Sequence, residues 1–558
     1  MKIIRMILLA GLLAVLPGCS DSQDSAAPAP TQETPTVGGG ETVQPTPPAV
    51  SGPVDGDALV MASIGEPSNL IPALVSDSAS TDITDRVYNG LMKIDENINI
   101  VPDLAESLEI SDDGLIFTFH LRKNVRWHDG RPFTSRDALF TYQLMIDPKT
   151  PTAYAESFKQ VKKVEAPDDY TFIVHYDQPL ARAMVSWCFD MMPAHLLEGK
   201  ELEGHPLARH PIGTGPYKFE KWESGQRITL AANDDYFRGR PHLDRLVMKI
   251  IPDLNAQIME LMGGHIDTML LTPDQYEEKQ ADRDFMKHYT MFRYPAFSYT
   301  YLGFNLEDPR FKDQRVRQAL AYAIDKQEII DGVLLGLGTP ANGPFKPEMW
   351  ANNHNVKPYP YDPAKAKALL AEAGWSDTNG DGLLDKDGQP FQFTVMTNQG
   401  NKTREQTCLI IQARLAEIGV KMNIRIVEWA AFLKEYLDKH NFEAVLMAWT
   451  VPIEPDLYDV WHSSKTNLGE LNFISYKNEE VDKLIDESRF TLDQPTRKKA
   501  YDRIQEIFYE EVPYVFLYVP DALPVYSSRY IGPRVAPAGI GKNLPEWYTP
   551  LDKQRYKR

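Results

Sequence analysis

Apolar and polar positions along the chain switch between a period of two and a period near 3.6, the pattern of a mixed α/β protein. Residues 116–121 (IFTFHL) alternate as a half-buried strand. Thr134 then opens a helix, with Asp137 three residues on, where a capping carboxylate sits. Residues 161–164 and 171–176 read as the arms of a hairpin that turns at Pro167, Asp168 and Asp169. A helix follows at 253–262, with Asp253 or Asn255 as its cap.

The second half is more regular. The helix at 362–373 is the best defined: Asp362 caps it, Pro363 takes its first position and Gly374 follows its last turn. A strand (391–397), a helix (403–418), a strand (420–427), a helix (430–438) and a strand (444–449) come next. Helices at 479–490 and 496–511 lead to a last strand at 514–519. Strands alternating with helices predict a largely parallel sheet, with ligands beyond the carboxyl ends of strands in crevices between lobes.

The first residues follow no such pattern. Lys2 and Arg5 precede an apolar stretch, residues 6–16, that is too short to span a bilayer. Leu16, Pro17, Gly18 and Cys19 then resemble a bacterial lipobox, which makes 1–18 a signal peptide and Cys19 the lipid-bearing residue. Pro17 departs from the usual residue there, and a plain secretory signal is the alternative. Residues 20–56 are rich in proline and hold no aromatic residue, Lys or Arg, so 19–56 is expected to be a disordered tether.

The formal net charge of −19 argues against nucleic acid as a partner. Cys188 and Cys408 either pair or stay as buried thiols. The sequence contains no GxxxxGK[ST], HExxH or GxSxG motif, and the histidines are scattered. The turn from Trp127 to Gly130 has no acid–base or metal partner near it in sequence. These features argue against an enzyme.

One loop carries metal-like spacing. Asp377, Asn379, Asp381 and Asp385 alternate as the oxygen ligands of an EF-hand would, and Gly382 sits at its sharp turn. The twelfth position is Gly388 rather than a bidentate Glu. A hairpin turn leading to the strand at Phe391 is the favoured reading, and a structural Ca²⁺ is the alternative; no other cofactor is expected.

Several segments together resemble bacterial solute-binding protein family 5, the dipeptide-, oligopeptide- and nickel-binding group. They are 86–91 (RVYNGL), the run from Pro102 through 117–122 (FTFHLR) to 127–130 (WHDG) and 134–137 (TSRD), 212–217 (IGTGPY) and 264–267 (GHID). Further on come 302–305 (LGFN), 316–320 (VRQAL), Ile324 with Asp325, 362–375, and Glu428 with Trp429 ahead of 442–449. The resemblance implies an α/β type II periplasmic-binding-protein fold, with two lobes on a hinge and a small α+β insert. Lobe one would comprise 57–92, 210–291 and 515–558, the insert 93–209 and lobe two 292–514.

The same resemblance implies a binding protein on the outer face of the cell envelope, which the lipobox-like residues would anchor by lipid at Cys19 and which is expected to be a monomer. It would touch the membrane only through its lipid, and it would hand peptides to the permease and ATPase of an ABC importer. A non-peptide solute (oligosaccharide, opine or metal chelate) or a sensing role are the alternatives. Ligand contacts would come from Tyr88, Asn89, Gly90, Asn305, Gln399, Ala448, Trp449, Thr450 and Asp456. Two departures stand out. The aspartate that holds the ligand amine in peptide-binding relatives falls at Pro452, with Glu454 or Asp456 as substitutes only after a register shift. The carboxylate-clamping arginine is missing from 397–401, where Gln399, Gly400 and Asn401 stand, followed by Lys402 and Arg404. A buried ligand charge without a counter-charge is costly. A longer or end-blocked peptide, or a neutral solute, is therefore expected over a strict dipeptide, and free and blocked amines should bind alike.

Overall fold

A computed structural model describes residues 52–556. The signal peptide, Cys19 and almost all of the expected tether lie outside the described residues.

Two seven-stranded sheets organise the chain. The first runs in the order Tyr289–Met291, Pro524–Ser527, Thr268–Leu270, Ala58–Ser63, Arg245–Ile250, Arg227–Ala232, Tyr217–Glu223. The second runs Tyr294–Pro295, Tyr514–Ala522, Ser298–Phe304, Ala444–Thr450, Gln392–Asn398, Lys421–Val427, with Gly338–Pro340 also on Tyr514–Ala522. A four-stranded antiparallel sheet forms between Ala105 and Tyr176, and the hairpin around Asp168 and Asp169 belongs to it.

Both large sheets are mixed, which corrects the largely parallel expectation. Ala58–Ser63 is parallel to its two neighbours, and Gln392–Asn398 to its two. The remaining pairings are antiparallel. A helix between two strands produces a parallel pair only when both strands join the same sheet side by side, as Lys402–Glu417 does. Ser298–Phe304 enters from the other lobe and Tyr514–Ala522 leads back to it, so their direction follows from the crossings. The same pairing corrects one boundary. Tyr514–Ala522 lies in the second sheet, so the chain returns to the first after Ala522 rather than at 515.

The two crossings lie side by side. Tyr294 pairs with Ala522 in one sheet and Met291 with Val525 in the other. Between them the Phe292 N–H donates to the Pro524 carbonyl at 2.9 Å, and Arg293 donates to Asp521 at 2.6 Å. This antiparallel ribbon has the form of a hinge between two rigid bodies.

Alternation fills the second sheet on both faces. Val445 and Met447 pack on one face with Tyr514 and Phe516, and Ala444 and Leu446 on the other with Val515 and Leu517. The helix Lys402–Glu417 covers the second face with Cys408, Ile411 and Leu415. In the first half, a single core joins Leu59, Leu246 and Tyr217 of the first sheet to Phe119, Phe172 and Trp187 of the insert, so these two bodies pack as one.

Local chemistry sets the helix ends. Asp362 accepts from the Lys365 N–H at 2.9 Å, Asp253 from Ala256 at 2.8 Å, and Asp137 from its cap residue Thr134 at 2.9 Å. The helix expected at 430–438 is instead one α turn, Trp429–Ala431, continued as a π-helix, Phe432–Leu437.

Candidate ligand-binding site

The lobes touch. A Cβ on Gly65 would lie 2.7 Å from the Trp429 ring, and one on Gly400 would meet the Pro252 carbonyl. The closed form therefore needs bare backbone at both places.

At the cleft, the strand Ala444–Thr450 pairs along its whole length with Ser298–Phe304. Its other neighbour, Gln392–Asn398, stays in register only at Ala444 and Val445. The Leu446 carbonyl still accepts from the Thr397 hydroxyl at 2.9 Å, which shows the edge it points to. A period of two places the backbone N–H and C=O of Ala448 and Thr450 on that same edge, where the neighbouring strand has left. Val451 points the other way and donates to the Phe297 carbonyl at 2.9 Å. The result is a short open strand edge.

Trp449 stands beside it. Its indole N–H donates to the Tyr514 hydroxyl at 3.2 Å, and its ring is stacked with those of Tyr301 and Phe473. Gln399 is exposed nearby, with its N–H donating to the Val427 carbonyl at 2.7 Å. Arg404 sits in the first turn of its helix and turns inward, donating to Asn398 Oδ1 at 2.7 Å. Burial lowers its pKa, and no carboxylate forms an ion pair with it among the described residues.

The segment at 88–90 is differently placed. Tyr88 is buried in the core with Ile83, Val87 and Leu91, and burial raises its hydroxyl pKa. The Asn89 side chain bonds Asp103 at 2.8 Å and Thr214 at 3.0 Å. The carbonyls of Asn89 and Gly90 accept from Met191 and Leu104, so both are already spent within the protein. The same segment lines a cavity of about 470 Å³ with Lys93, Asp190 and Lys542.

Asn305 is not brought to the cleft edge. It follows the end of Ser298–Phe304 that faces Ala444, six residues from Thr450 or about 20 Å at strand rise. Its amide donates to the carbonyls of His440 and Phe442, which anchors a turn. Asp456 is also engaged, by Arg182 at 2.9 Å and Arg489 at 3.4 Å. Burial opposes its charge, yet the two guanidinium groups hold its pKa below the usual carboxylate range.

The metal-like loop satisfies itself. Asp377 accepts from Gly380 and Gly382, Asn379 from Asp381, Asp381 from Leu383, and Asp385 from Thr378. The hairpin of Asp385–Lys386 and Gln389–Pro390 turns at Asp387 and Gly388, both with positive φ. Among the described residues no group of three acidic, His or Cys side chains is placed to hold a metal. Cys188 and Cys408 are free thiols, and burial pushes both up to about 12.

His128 explains the turn at 127–130. Its Nδ1 accepts from the Gly213 N–H at 3.3 Å, and its Nε2 lies 3.0 Å from the Gly215 carbonyl. It ties the insert to lobe one as a neutral ring, with a pKa lowered to about 4 by burial.

Three cleft residues escaped the sequence reading. Arg182 and Asp190 of the insert and Asp459 of lobe two line a cavity of about 320 Å³ together with Asp85. They carry no motif, and only the fold brings them together.

Comparison with known proteins places the chain. Residues 99–469 match the model of bacterial extracellular solute-binding proteins, family 5. The oligopeptide-binding protein AppA of Bacillus subtilis is 37% identical over 511 residues, covering 89% of this chain and 92% of AppA. The structure of AppA in complex with a nonapeptide superposes with a TM-score of 0.85 at 36% identity, over 89% of this chain and 100% of that one. NikZ of Campylobacter jejuni in complex with Ni(L-His) superposes with a TM-score of 0.80 at 31% identity, over 88% of this chain and 99% of that one. The chain belongs to the bacterial extracellular solute-binding proteins of family 5.

Proposed function

We propose that this protein captures oligopeptides between its two lobes and delivers them to the permease and ATPase of an ABC importer, without making or breaking bonds. The open edge at Ala448 and Thr450 carries the reading. Backbone N–H and C=O groups there offer an extended peptide one more strand to join. Main-chain pairing suits a receptor of varied side chains, because every peptide presents the same donors and acceptors. Trp449 forms the apolar floor beside that edge, and Arg404 offers a cation to a ligand carboxylate. Tyr88, Asn89 and Gly90 act by shaping the opposite wall, since the carbonyls of Asn89 and Gly90 are taken.

Backbone methylation tests this. N-methyl groups at alternate residues of a bound peptide should lower affinity by roughly ten-fold or more per lost hydrogen bond to a well-ordered edge. Methylation at the intervening residues and alanine replacement of single side chains should matter less. Equal tolerance at every backbone position would overturn strand addition. Binding of a nickel–histidine chelate with no affinity for peptides would favour a chelate receptor, the ligand class of the NikZ complex.

The lipobox-like residues 16–19 support an anchor at Cys19 on the outer face of a membrane. Cys19→Ala should release the protein into the soluble fraction.

A further inference from the structure

The insert meets the second lobe at one turn of chain. Arg489 ends the helix Glu479–Arg489, and its carbonyl accepts from the Ala181 N–H of the insert at 2.8 Å. Phe490 packs against the core that the insert shares with lobe one, and it belongs to neither core of lobe two. A Cβ on Gly114 of the insert would lie 4.0 Å from the Leu492 side chain. Next to Ala181, Arg182 donates to Asp456 at 2.9 Å. The insert thus holds lobe two by backbone, by an aromatic ring and by charge.

Insert and lobe one share one core, and the chain passes between the lobes at the hinge ribbon. Rotation about that ribbon carries lobe two away from the insert as well as from lobe one. The polar atoms of the seam agree. Arg182 Nε, Arg489 Nη1 and Asp459 Oδ1 are buried without a hydrogen-bond partner among the described residues. A permanent interface pairs such atoms, whereas a surface that opens gives them water in its other state.

We propose that the insert is a clasp, which takes the 489–492 turn when the cleft shuts and sets how long the closed form lasts. Lobe two is then held at two seams: Gly65 with Trp429 and Gly400 with Pro252 at the cleft, and the 489–492 turn at the insert. A captured molecule leaves only when both give way. The clasp rests on closure and not on the class of ligand, because no ligand group takes part in it.

Hydrogen exchange at residue resolution on the mature protein tests this. The Ala181 amide reads the clasp, and the Ala448 and Thr450 amides read the open strand edge. The probe is a pool of nine-residue peptides of varied side chains. With the pool bound, exchange at Ala181 should slow by roughly ten-fold or more. Phe490→Ala takes the ring from the insert and spares both cores of lobe two. Gly65→Val disturbs closure at the cleft alone. Each should speed Ala181 about ten-fold in the loaded protein, while amides of the strand Ala58–Ser63 exchange as before. Equal protection of Ala181 with and without the pool, while Ala448 and Thr450 gain protection, means a fixed joint and overturns the clasp. So does an Ala181 amide that Gly65→Val or Phe490→Ala leaves unmoved, or one unprotected in every sample. If neither edge amide responds to the pool, peptide capture fails, and the same two variants decide the clasp in the peptide-free protein.

Discussion

Arg182 donates to Asp456 Oδ2 at 2.9 Å, and this pair bridges the insert to the second lobe. Arg489 approaches the same oxygen at 3.4 Å, and its carbonyl accepts from the Ala181 N–H at 2.8 Å. The Asp456 side chain is only 3% exposed, so its charge depends on these two cations. In an open form the lobes part and Arg182 leaves. Breaking a buried pair costs about 3–5 kcal/mol, but Arg489 stays and Arg182 is 23% exposed, so Arg182→Ala should weaken the closed form by about 1–2 kcal/mol. Solution scattering should then require roughly ten-fold more ligand to reach the compact state, the equivalent of about 1.4 kcal/mol.

Gly65 offers a cleaner test of closure, because the three atoms nearest to a Cβ there all belong to Trp429, across the cleft. Gly65→Val adds bulk that only the closed form meets. Overpacking of this kind costs about 1–3 kcal/mol. Ligand affinity should fall by roughly ten- to a hundred-fold while the melting temperature of the ligand-free protein hardly moves, if the ligand-free protein is open. An equal loss in both would mean that the lobes stay shut without ligand.

Short-range chemistry was the legible part of the sequence. Asp362, Pro363 and Gly374 bound their helix to within a residue, because a cap, a fixed φ and a positive φ of 89° act locally. The hairpin around Asp168 and Asp169 was legible as well, with its second arm at 171–176 as read and its first arm running on from the 161–164 expected to 168. Sheet membership was not legible. Nothing local in 514–522 tells a strand that it pairs with 298–304 rather than with the first sheet. The site suffered most, since Arg182 and Asp456 stand 274 positions apart. Asn305 shows the converse: a conspicuous polar residue in a recognisable segment, spent on a turn at the wrong end of its strand.

His128 gives the protein a pH-dependent seam between insert and lobe one. Its ring is neutral in the fold, with a pKa of about 4 against the ordinary 6.5. The unfolded chain therefore binds the extra proton first as pH falls. The stabilising contribution is complete above pH 6.5 and drains away towards pH 4. The stability difference between wild type and His128→Gln, from urea unfolding at several pH values, should shrink by up to about 3 kcal/mol across that window. A difference that is flat with pH would remove His128 from the seam.

The loop from Asp377 to Gly388 should be indifferent to calcium. Its carboxylates already accept from Gly380, Gly382, Leu383 and Thr378, and a metal would have to displace those donors. Millimolar Ca²⁺ or a chelator should leave the melting temperature unchanged. A rise of several degrees with Ca²⁺ would show that the loop reorganises around the ion.

Arg404 carries a charge that forms no ion pair with a carboxylate among the described residues. Such a cation costs stability on its own and repays it only when an anion arrives. Arg404→Met, which keeps the apolar length of the side chain, should therefore raise the melting temperature of the ligand-free protein. It should also lower affinity for a peptide with a free carboxylate by roughly ten- to a hundred-fold, the range of a charge-assisted hydrogen bond. A C-terminally amidated peptide without acidic side chains should lose much less. The two effects have opposite signs because one residue serves two states. Loss of stability together with equal loss for acid and amide would mean that Arg404 holds the helix start to Asn398 and takes no part in recognition.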